Sequence, residues 1–294
     1  TLPALTQINT STAEIQLLNL INQERKKDKL PVLEMDKNAS RVSRFHSYEM
    51  YEYDFFSLES PGHGSLDYKL IRNNIFCQIG RKFIFVDHSI GNIMNKLKEY
   101  DAFTDDSNRI GIGFHIANSS KYGADTMWVT VVFLKYLVEV EAFPRTVIQG
   151  QKVEINGKIL GSYTNPHMPV TLPNGKVRDF KNKLQNQKQF KFQLVIDQGP
   201  GEYTLEIVVN DAKEGPKVAS IMPIYANVPY PSPAQVRPKE NEYFSTTEEA
   251  SSYMVKLLNE ARKKQKLKPL EIDPLLRQVA YFHSQDMAQR NFFA

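Results

Sequence analysis

Residues Asn22–Ser57 read NQERKKDKLPVLEMDKNASRVSRFHSYEMYEYDFFS, and residues Asn259–Ala294 read NEARKKQKLKPLEIDPLLRQVAYFHSQDMAQRNFFA. The two stretches align without a gap at a constant offset of 237 positions, and sixteen of thirty-six residues are identical. Arg25-Lys26-Lys27 meets Arg262-Lys263-Lys264, Leu33-Glu34 meets Leu270-Glu271, and Asp36 meets Asp273. Phe45-His46-Ser47 meets Phe282-His283-Ser284, Met50 meets Met287, and Phe55-Phe56 meets Phe292-Phe293. A period this long marks a duplicated domain, since solenoid repeats are short units that need their neighbours for a core. The chain reads as one full unit, a different middle, and the opening of a second unit.

Outward from that stretch, Ile15, Leu18, Ile21 and Asn22 keep helical spacing behind a Ser11-Thr12-x-Glu14 start. Val42, Phe45, His46 and Met50 give a second helix from the N-cap candidate Asp36 to about Tyr53. Ser60 to Gly64 reads as a loop, Leu66 to Asn73 as a short helix, and Ile90 to Tyr100 as a longer one. The stretch between Asn73 and Ile90 reads as crossover. Ile110, Ile112, Phe114 and Ile116 alternate with Gly111, Gly113 and His115, and Thr126 to Leu137 is a β-prone partner, so the two predict an antiparallel pair. Beyond Val138 the pattern is entirely β. Lys152–Leu160, Val170–Phe180, Gln189–Ile196, Gly201–Val209 and Lys217–Val228 are strand-like and separated by turns, which indicates a small β-sandwich. Pro229, Pro231, Pro233 and Pro238 mark a semi-extended linker before helical pattern resumes at Glu248.

Composition narrows the classes. Hydrophobic residues make up 41% and charged residues 24%, ordinary values for a globular protein. No apolar run approaches the roughly 20 residues that span a bilayer. The net charge is +4, and the basic runs Arg25–Lys29 and Arg262–Lys268 fall at helix ends, where cations suit the dipole. Without interleaved aromatic residues or a recognisable module they do not predict nucleic-acid binding. Cys77 is the only cysteine, so no intramolecular disulfide exists, and its apolar neighbours predict an inert thiol.

The ordered set Leu20-Ile21-Asn22-x-x-Arg25, Leu30-x-x-Leu33-x-x-Asp36, His46-Ser47-x-x-Met50, Phe55-Phe56-Ser57, Ser60-Pro61 and Ile110-Gly111-Ile112-Gly113, with Trp128 after it, resembles the CAP superfamily. That family is also called SCP or Tpx-like and includes the cysteine-rich secretory proteins. The resemblance is to its bacterial branch, covers about Ala13 to Tyr136, and is repeated for its first third in the second copy. It implies a CAP-type α-β-α sandwich over residues 1–137 and the helical start of a second CAP domain over 248–294; with the strand pattern read as an immunoglobulin-like β-sandwich over 138–228 and the Pro-rich linker over 229–247, the expected fold class is α+β. It also implies export, with a signal peptide already removed, and a cleft of two histidines and two glutamates able to bind a divalent metal.

Position by position that site is not carried over. Leu58 stands where the first family histidine would be, Arg81 stands where a glutamate would be, and Tyr100 to Phe103 lacks the second histidine. An arginine in place of an acid reverses the charge a metal needs. The expectation is no metal or other cofactor in the first domain, and no catalytic residue. His63, His88 and Glu59 are weak cleft candidates, while His46 and His283 read as interior histidines bonded to backbone. Asp101, Asp105 and Asp106 read as a solvated turn rather than a calcium loop. The resulting function is a non-catalytic binding or scaffold module at the cell envelope or outside the cell, with a cell-surface, cell-wall or lipid ligand. One alternative is a metal-dependent hydrolase whose divalent-metal site lies in a complete second copy; another is a lipid- or sterol-binding protein. The apolar residues Leu257, Leu258, Val279, Phe282, Met287, Phe292 and Phe293 also predict that the natural protein continues past Ala294, by about eighty residues, half a small domain. Its next residue would fall at the position of the first metal histidine.

Overall fold

The computed structural model describes residues 10–103, 106–182, 188–232, 246–264 and 266–290. The chain divides into two compact units, residues 1–237 and 238–294. The first opens with α1 (Thr10–Lys27), β1 (Glu34–Met35) and α2 (Lys37–Glu52). Asp36 caps α2, its carboxylate accepting from the Ala39 amide at 2.9 Å. Next come the miniature hairpin β2 (Glu59–Ser60) and β3 (Gly64–Ser65), then α3 (Leu66–Arg72), β4 (Gln78–Asp87), α4 (Ile90–Glu99), β5 (Arg109–Ser119) and β6 (Gly123–Lys135). The sheet order is β1-β5-β6-β4.

Helices cover both faces of this sheet, because the strands are apolar on both. Ile110, Ile112, Phe114, Val129, Val131 and Phe133 pack against α1 and α4. Val132 and Leu134 pack on the other side with Ala39 and Val42 of α2 and Leu66 and Leu70 of α3. Gly111 and Gly113 lie on the α2 side, where the helix backbone itself rests on the strand. A Cβ on Gly113 would come within 2.0 Å of the Arg44 amide nitrogen, and one on Gly111 within 2.6 Å of the Ala39 Cβ. Ser47 fixes the depth of α2, its hydroxyl donating to the Gly113 carbonyl at 2.9 Å and lying 2.9 Å from the Thr130 hydroxyl.

The β-rich part is a sandwich of two sheets, ordered β11-β10-β13-β14-β8 and β12-β9-β7. Its strands are β7 (Val138–Val140), β8 (Thr146–Val147), β9 (Lys152–Ile159), β10 (Thr164–Thr171), β11 (Val177–Lys181), β12 (Gln189–Val195), β13 (Gly201–Asp211) and β14 (Gly215–Ala226). Phe190, Phe192, Leu194, Tyr203, Leu205 and Ile207 fill the space between the sheets. The Tyr203 hydroxyl accepts from the Gln198 amide at 2.9 Å and donates to the Gly199 carbonyl at 3.0 Å, a corner device used in immunoglobulin-type sandwiches.

The sandwich core also takes in Phe76 and Leu137 from the helical part. Arg145 clamps the joint. Its guanidinium lies 4.6 Å from the Phe76 ring centroid, with Nε donating to the Pro223 carbonyl at 2.5 Å and Nη1 to Asn74 Oδ1 at 3.1 Å. The strand out of the sandwich is strapped across α3, where the Tyr68 hydroxyl donates to the Pro231 carbonyl at 2.9 Å and Arg72 lies 5.0 Å from the Tyr230 ring centroid.

Three local expectations are corrected. The 60–64 loop is the turn of a two-stranded hairpin, Ser60 pairing with Gly64. The crossover after Asn73 contains the ten-residue strand β4, paired antiparallel to β6. Val170–Phe180 is two strands, because Gly175 takes a positive φ of 81° and its amide closes a turn onto the Leu172 carbonyl at 2.8 Å.

The second unit is a helical hairpin of α5 (Thr247–Lys264) and α6 (Pro274–Arg290). Thr246 caps α5, its hydroxyl accepting from the Glu249 amide at 3.2 Å. Of the linker, residues 233–245 lie outside the described residues, as do Phe292 and Phe293.

Candidate functional site

Two charged residues lie on the apolar stripes of α2 and α3. Along α2, Val42, His46, Glu49 and Met50 face inward and are buried. Along α3, Leu66, Lys69 and Leu70 do the same. The β2–β3 hairpin closes over them and adds Ser60, which is fully buried. Lys69 Nζ meets Glu49 Oε2 and Ser60 Oγ in short contacts and lies 2.9 Å from His46 Nδ1. The Ser60 hydroxyl donates to Glu49 Oε2 at 2.9 Å.

The proton on His46 follows from its neighbours. Nε2 lies 2.9 Å from the Ser57 carbonyl, which can only accept, so Nε2 carries the hydrogen. Nδ1 faces the Lys69 ammonium and is therefore the bare acceptor. Burial, reinforced by the Lys69 charge, pushes the imidazole down to about 4, so the ring is neutral at ordinary pH. Burial also lowers the Lys69 ammonium, and the hydrogen bond and charge of Glu49 oppose that shift.

His63 Nδ1 lies 2.8 Å from the other carboxylate oxygen, Glu49 Oε1, off the line of a directed hydrogen bond. Its side chain is 47% exposed, so it forms the rim between the sealed cluster and solvent.

Outside this rim runs a groove of about 640 Å³ between α2 and α3. Arg41, Val42 and Phe45 form one wall, Gly62 and His63 the end, and Tyr68, Lys69, Arg72 and Asn73 the other wall. Arg41 has no ion pair or hydrogen bond among the described residues. Arg72 gives Nη1 to the Tyr68 hydroxyl at 2.6 Å and has no carboxylate partner among the described residues. Asp67 is taken up by Lys82 at 2.6 Å and Glu49 by Lys69, so the groove presents uncompensated positive charge.

The remaining sequence candidates each have local surroundings of their own. His88 sits in the turn before α4, its Nε2 3.2 Å from the Thr126 hydroxyl. Asp87 is the residue that organises that turn, accepting from the His88 amide at 2.8 Å and the Ser89 amide at 3.1 Å. Glu59 is half-buried in β2, where its amide donates to the Ser57 hydroxyl at 3.1 Å. Leu58 packs against the Val42–Leu66–Leu70 cluster. Arg81 closes the end of α4, Nη2 donating to the Tyr100 carbonyl at 2.7 Å, and lies 5.5 Å from the Phe83 ring centroid. His283 is exposed on α6. Asp101 sits in a turn with a φ of 50°, Asp106 pairs with Lys135, and Asp105 lies outside the described residues. Cys77 is partly buried with its thiol pushed up to about 12 by burial.

Chemically, the cluster does not suit a metal or an acyl transfer. An ammonium already occupies the Glu49 and His46 donors that a cation would need, and no group of three His, Cys, Asp or Glu is placed to hold a metal among the described residues. A serine nucleophile needs a free base and access to substrate. Ser60 instead accepts from Lys69 Nζ, donates to Glu49 Oε2 and is buried from solvent. Glu49, Ser60 and Lys69 escaped sequence reading, although a charge on each apolar stripe is the signal that could have marked the first and last.

No protein-family model matches the chain, and no curated protein sequence does. Among solved structures, it is similar to an extracellular protein containing an SCP domain from Bacillus anthracis, at 23% identity and a TM-score of 0.37, over 43% of this chain and 41% of that one. It is also similar to an outer surface protein from Borrelia burgdorferi, at 17% identity and a TM-score of 0.36, over 44% of this chain and 96% of that one. A third similarity is to the PKD domain of an M14-like peptidase from a Thermoplasmatales archaeon, at 11% identity and a TM-score of 0.25, over 31% of this chain and 93% of that one.

Proposed function

We propose that this chain is an exported, non-catalytic binding module whose ligand enters the groove between α2 and α3. The observation that carries the reading is the contrast between the two neighbouring sites. The Glu49–Lys69–Ser60–His46 cluster is buried and pairs its own carboxylate with its own ammonium, while the groove beside it is open, exposes Phe45 and carries two arginines with no carboxylate partner among the described residues. Buried ion pairs of this kind hold elements in register rather than react. Here one joins α2, α3 and the β2–β3 hairpin, which makes a preformed wall for the groove. Export rests on the resemblance carried by the duplicated segment, and no helix among the described residues is long and apolar enough to cross a membrane.

A mixed library of acidic, basic and neutral fragments, screened by amide chemical shifts, tests the reading. Fragments should perturb the amides of Phe45, His63 and Asn73, and Phe45→Ala should weaken them. Binding elsewhere, or labelling of Ser60 by a fluorophosphonate, would overturn it.

A further inference from the structure

We propose that the α2–α3 groove takes an oxyanion, carboxylate or phosphate, borne on an apolar body, with Arg41 and Arg72 holding the anion and Phe45 facing the apolar part. This rests on the groove being the binding site and names the chemistry of its ligand. Two guanidinium groups line the groove and neither has a carboxylate partner among the described residues, Glu49 being paired with Lys69 and Asp67 with Lys82. Guanidinium presents a planar fork of donors that fits carboxylate and phosphate oxygens, and such charged hydrogen bonds are the strong ones. Arg41 has no hydrogen bond or ion pair among the described residues, and Arg72 gives Nη1 to the Tyr68 hydroxyl while its guanidinium carbon lies 5.9 Å from the Tyr68 and 5.0 Å from the Tyr230 ring centroid.

The same lining includes the apolar or aromatic side chains of Val42, Phe45 and Tyr68. Phe45 is 47% exposed although it belongs to a helix whose inward face is well packed; the His63 ring meets its ring edge-on with centroids 6.0 Å apart, and Lys69 Nζ lies 5.7 Å from its centroid. An exposed aromatic ring next to arginines that have no carboxylate partner among the described residues suits a ligand with both parts, and a bare inorganic anion would leave the ring's exposed side unused. A volume of about 640 Å³ is in the range of small-molecule sites and exceeds what a phosphate alone fills.

Titration calorimetry of the whole chain with decanoate, decyl phosphate, decanol and inorganic phosphate tests the proposal. Decanoate and decyl phosphate should bind at least about tenfold tighter than decanol, which corresponds to one charge-assisted contact. Their affinity should fall with added salt. Inorganic phosphate should bind more weakly than decyl phosphate. Arg41→Gln, at a side chain with no hydrogen bond or ion pair among the described residues, should weaken the acids about tenfold with little effect on decanol, while Arg41→Lys should recover part of the loss. Arg41→Gln serves as the primary variant because Arg72 also braces Tyr68 and Tyr230. Equal binding of decanol and decanoate, or an unchanged decanoate affinity in Arg41→Gln, would overturn the oxyanion assignment while leaving the groove as a binding site. Inorganic phosphate binding as tightly as decyl phosphate would overturn the apolar body. If none of the four probes shifts the Phe45, His63 or Asn73 amides, the groove reading falls with it.

Discussion

At Gly113 a single hydrogen in place of a side chain decides how close α2 comes to the sheet, and everything in the cluster depends on that approach. The Cβ of an alanine would meet backbone atoms of Ser43 and Arg44, which cannot swing aside as a side-chain tip would. Gly113→Ala should therefore cost about 3 kcal/mol in urea unfolding, the upper range for overpacking, or prevent folding. His46 gives a pH dependence with a definite sign. Its folded value of about 4 lies below the ordinary 6.5, so between those values the unfolded chain binds the additional proton. Stability then rises with pH across that window and is lost as pH falls through it, by at most roughly 3 kcal/mol. Thermal melts from pH 7 to pH 4 should show the loss, and His46→Gln, which keeps a donor and an acceptor, should flatten it. A His46 imidazole resonance titrating near 6.5 would contradict the buried neutral ring. The interior placement of His46 was legible in sequence from its helical stripe, but its partners were not. Glu49 and Lys69 come from different helices and Ser60 from a hairpin, and no local pattern predicts that three such elements converge.

The duplicated segment is one structural frame built twice. In the first copy Asn22 brackets Leu33, its Nδ2 donating to the Leu33 carbonyl at 3.0 Å and its Oδ1 accepting from the Leu33 amide at 2.8 Å. In the second, Asn259 brackets Leu270 at 2.9 and 2.7 Å. Arg25 Nε reaches the Pro31 carbonyl at 2.8 Å and Arg262 Nε the Lys268 carbonyl at 2.8 Å. The turn residues Lys29 and Lys266 share a left-handed φ, 58° and 56°. The shared asparagine and arginine of the two stretches therefore fix the same bend between helices. What differs is coverage. Leu17, Ile21, Ala39 and Val42 are buried on a sheet, while their counterparts Met254, Leu258, Leu276 and Val279 are exposed by 49% or more. The bracket should accordingly matter more in the first copy. Asn22→Ala leaves partly buried backbone groups unpaired and should cost about 2 kcal/mol, whereas Asn259→Ala lets them turn to water and should cost well under about 1 kcal/mol. Amide exchange at Leu33 and Leu270 reads the two directly. Helices of this kind were legible because a 3.6 period and a capping aspartate are local. β4 was not, since its burial does not alternate and its pairing with β6 shifts register between Ile79 and Lys82. β7 and β8, three and two residues long, are too short to carry a period.

For the whole molecule, the sandwich strands were legible from alternation alone, but their dependence on the helical part was not. Phe76 lies in a stretch that reads as crossover, and only tertiary packing sends it into the core of the sandwich. Removing the helical part therefore exposes apolar surface and frees Arg145. Residues 138–228 expressed alone should still unfold cooperatively, but with about 2 to 3 kcal/mol less stability than the same strands in the intact chain, the worth of one buried phenylalanine. Arg145→Ala in the intact chain should produce part of that loss, which urea titration monitored at Tyr203 would measure. The strap over α3 has a further consequence. Arg72 serves both the groove and the Tyr230 ring, so the two cannot be adjusted independently. Thermodynamic reciprocity then means that a ligand drawing on Arg72 would change how firmly residues 228–232 dock, and that docking of the segment would change the ligand's affinity by the same factor. Occupancy of the groove should therefore show in how readily a protease reaches the chain at Tyr230.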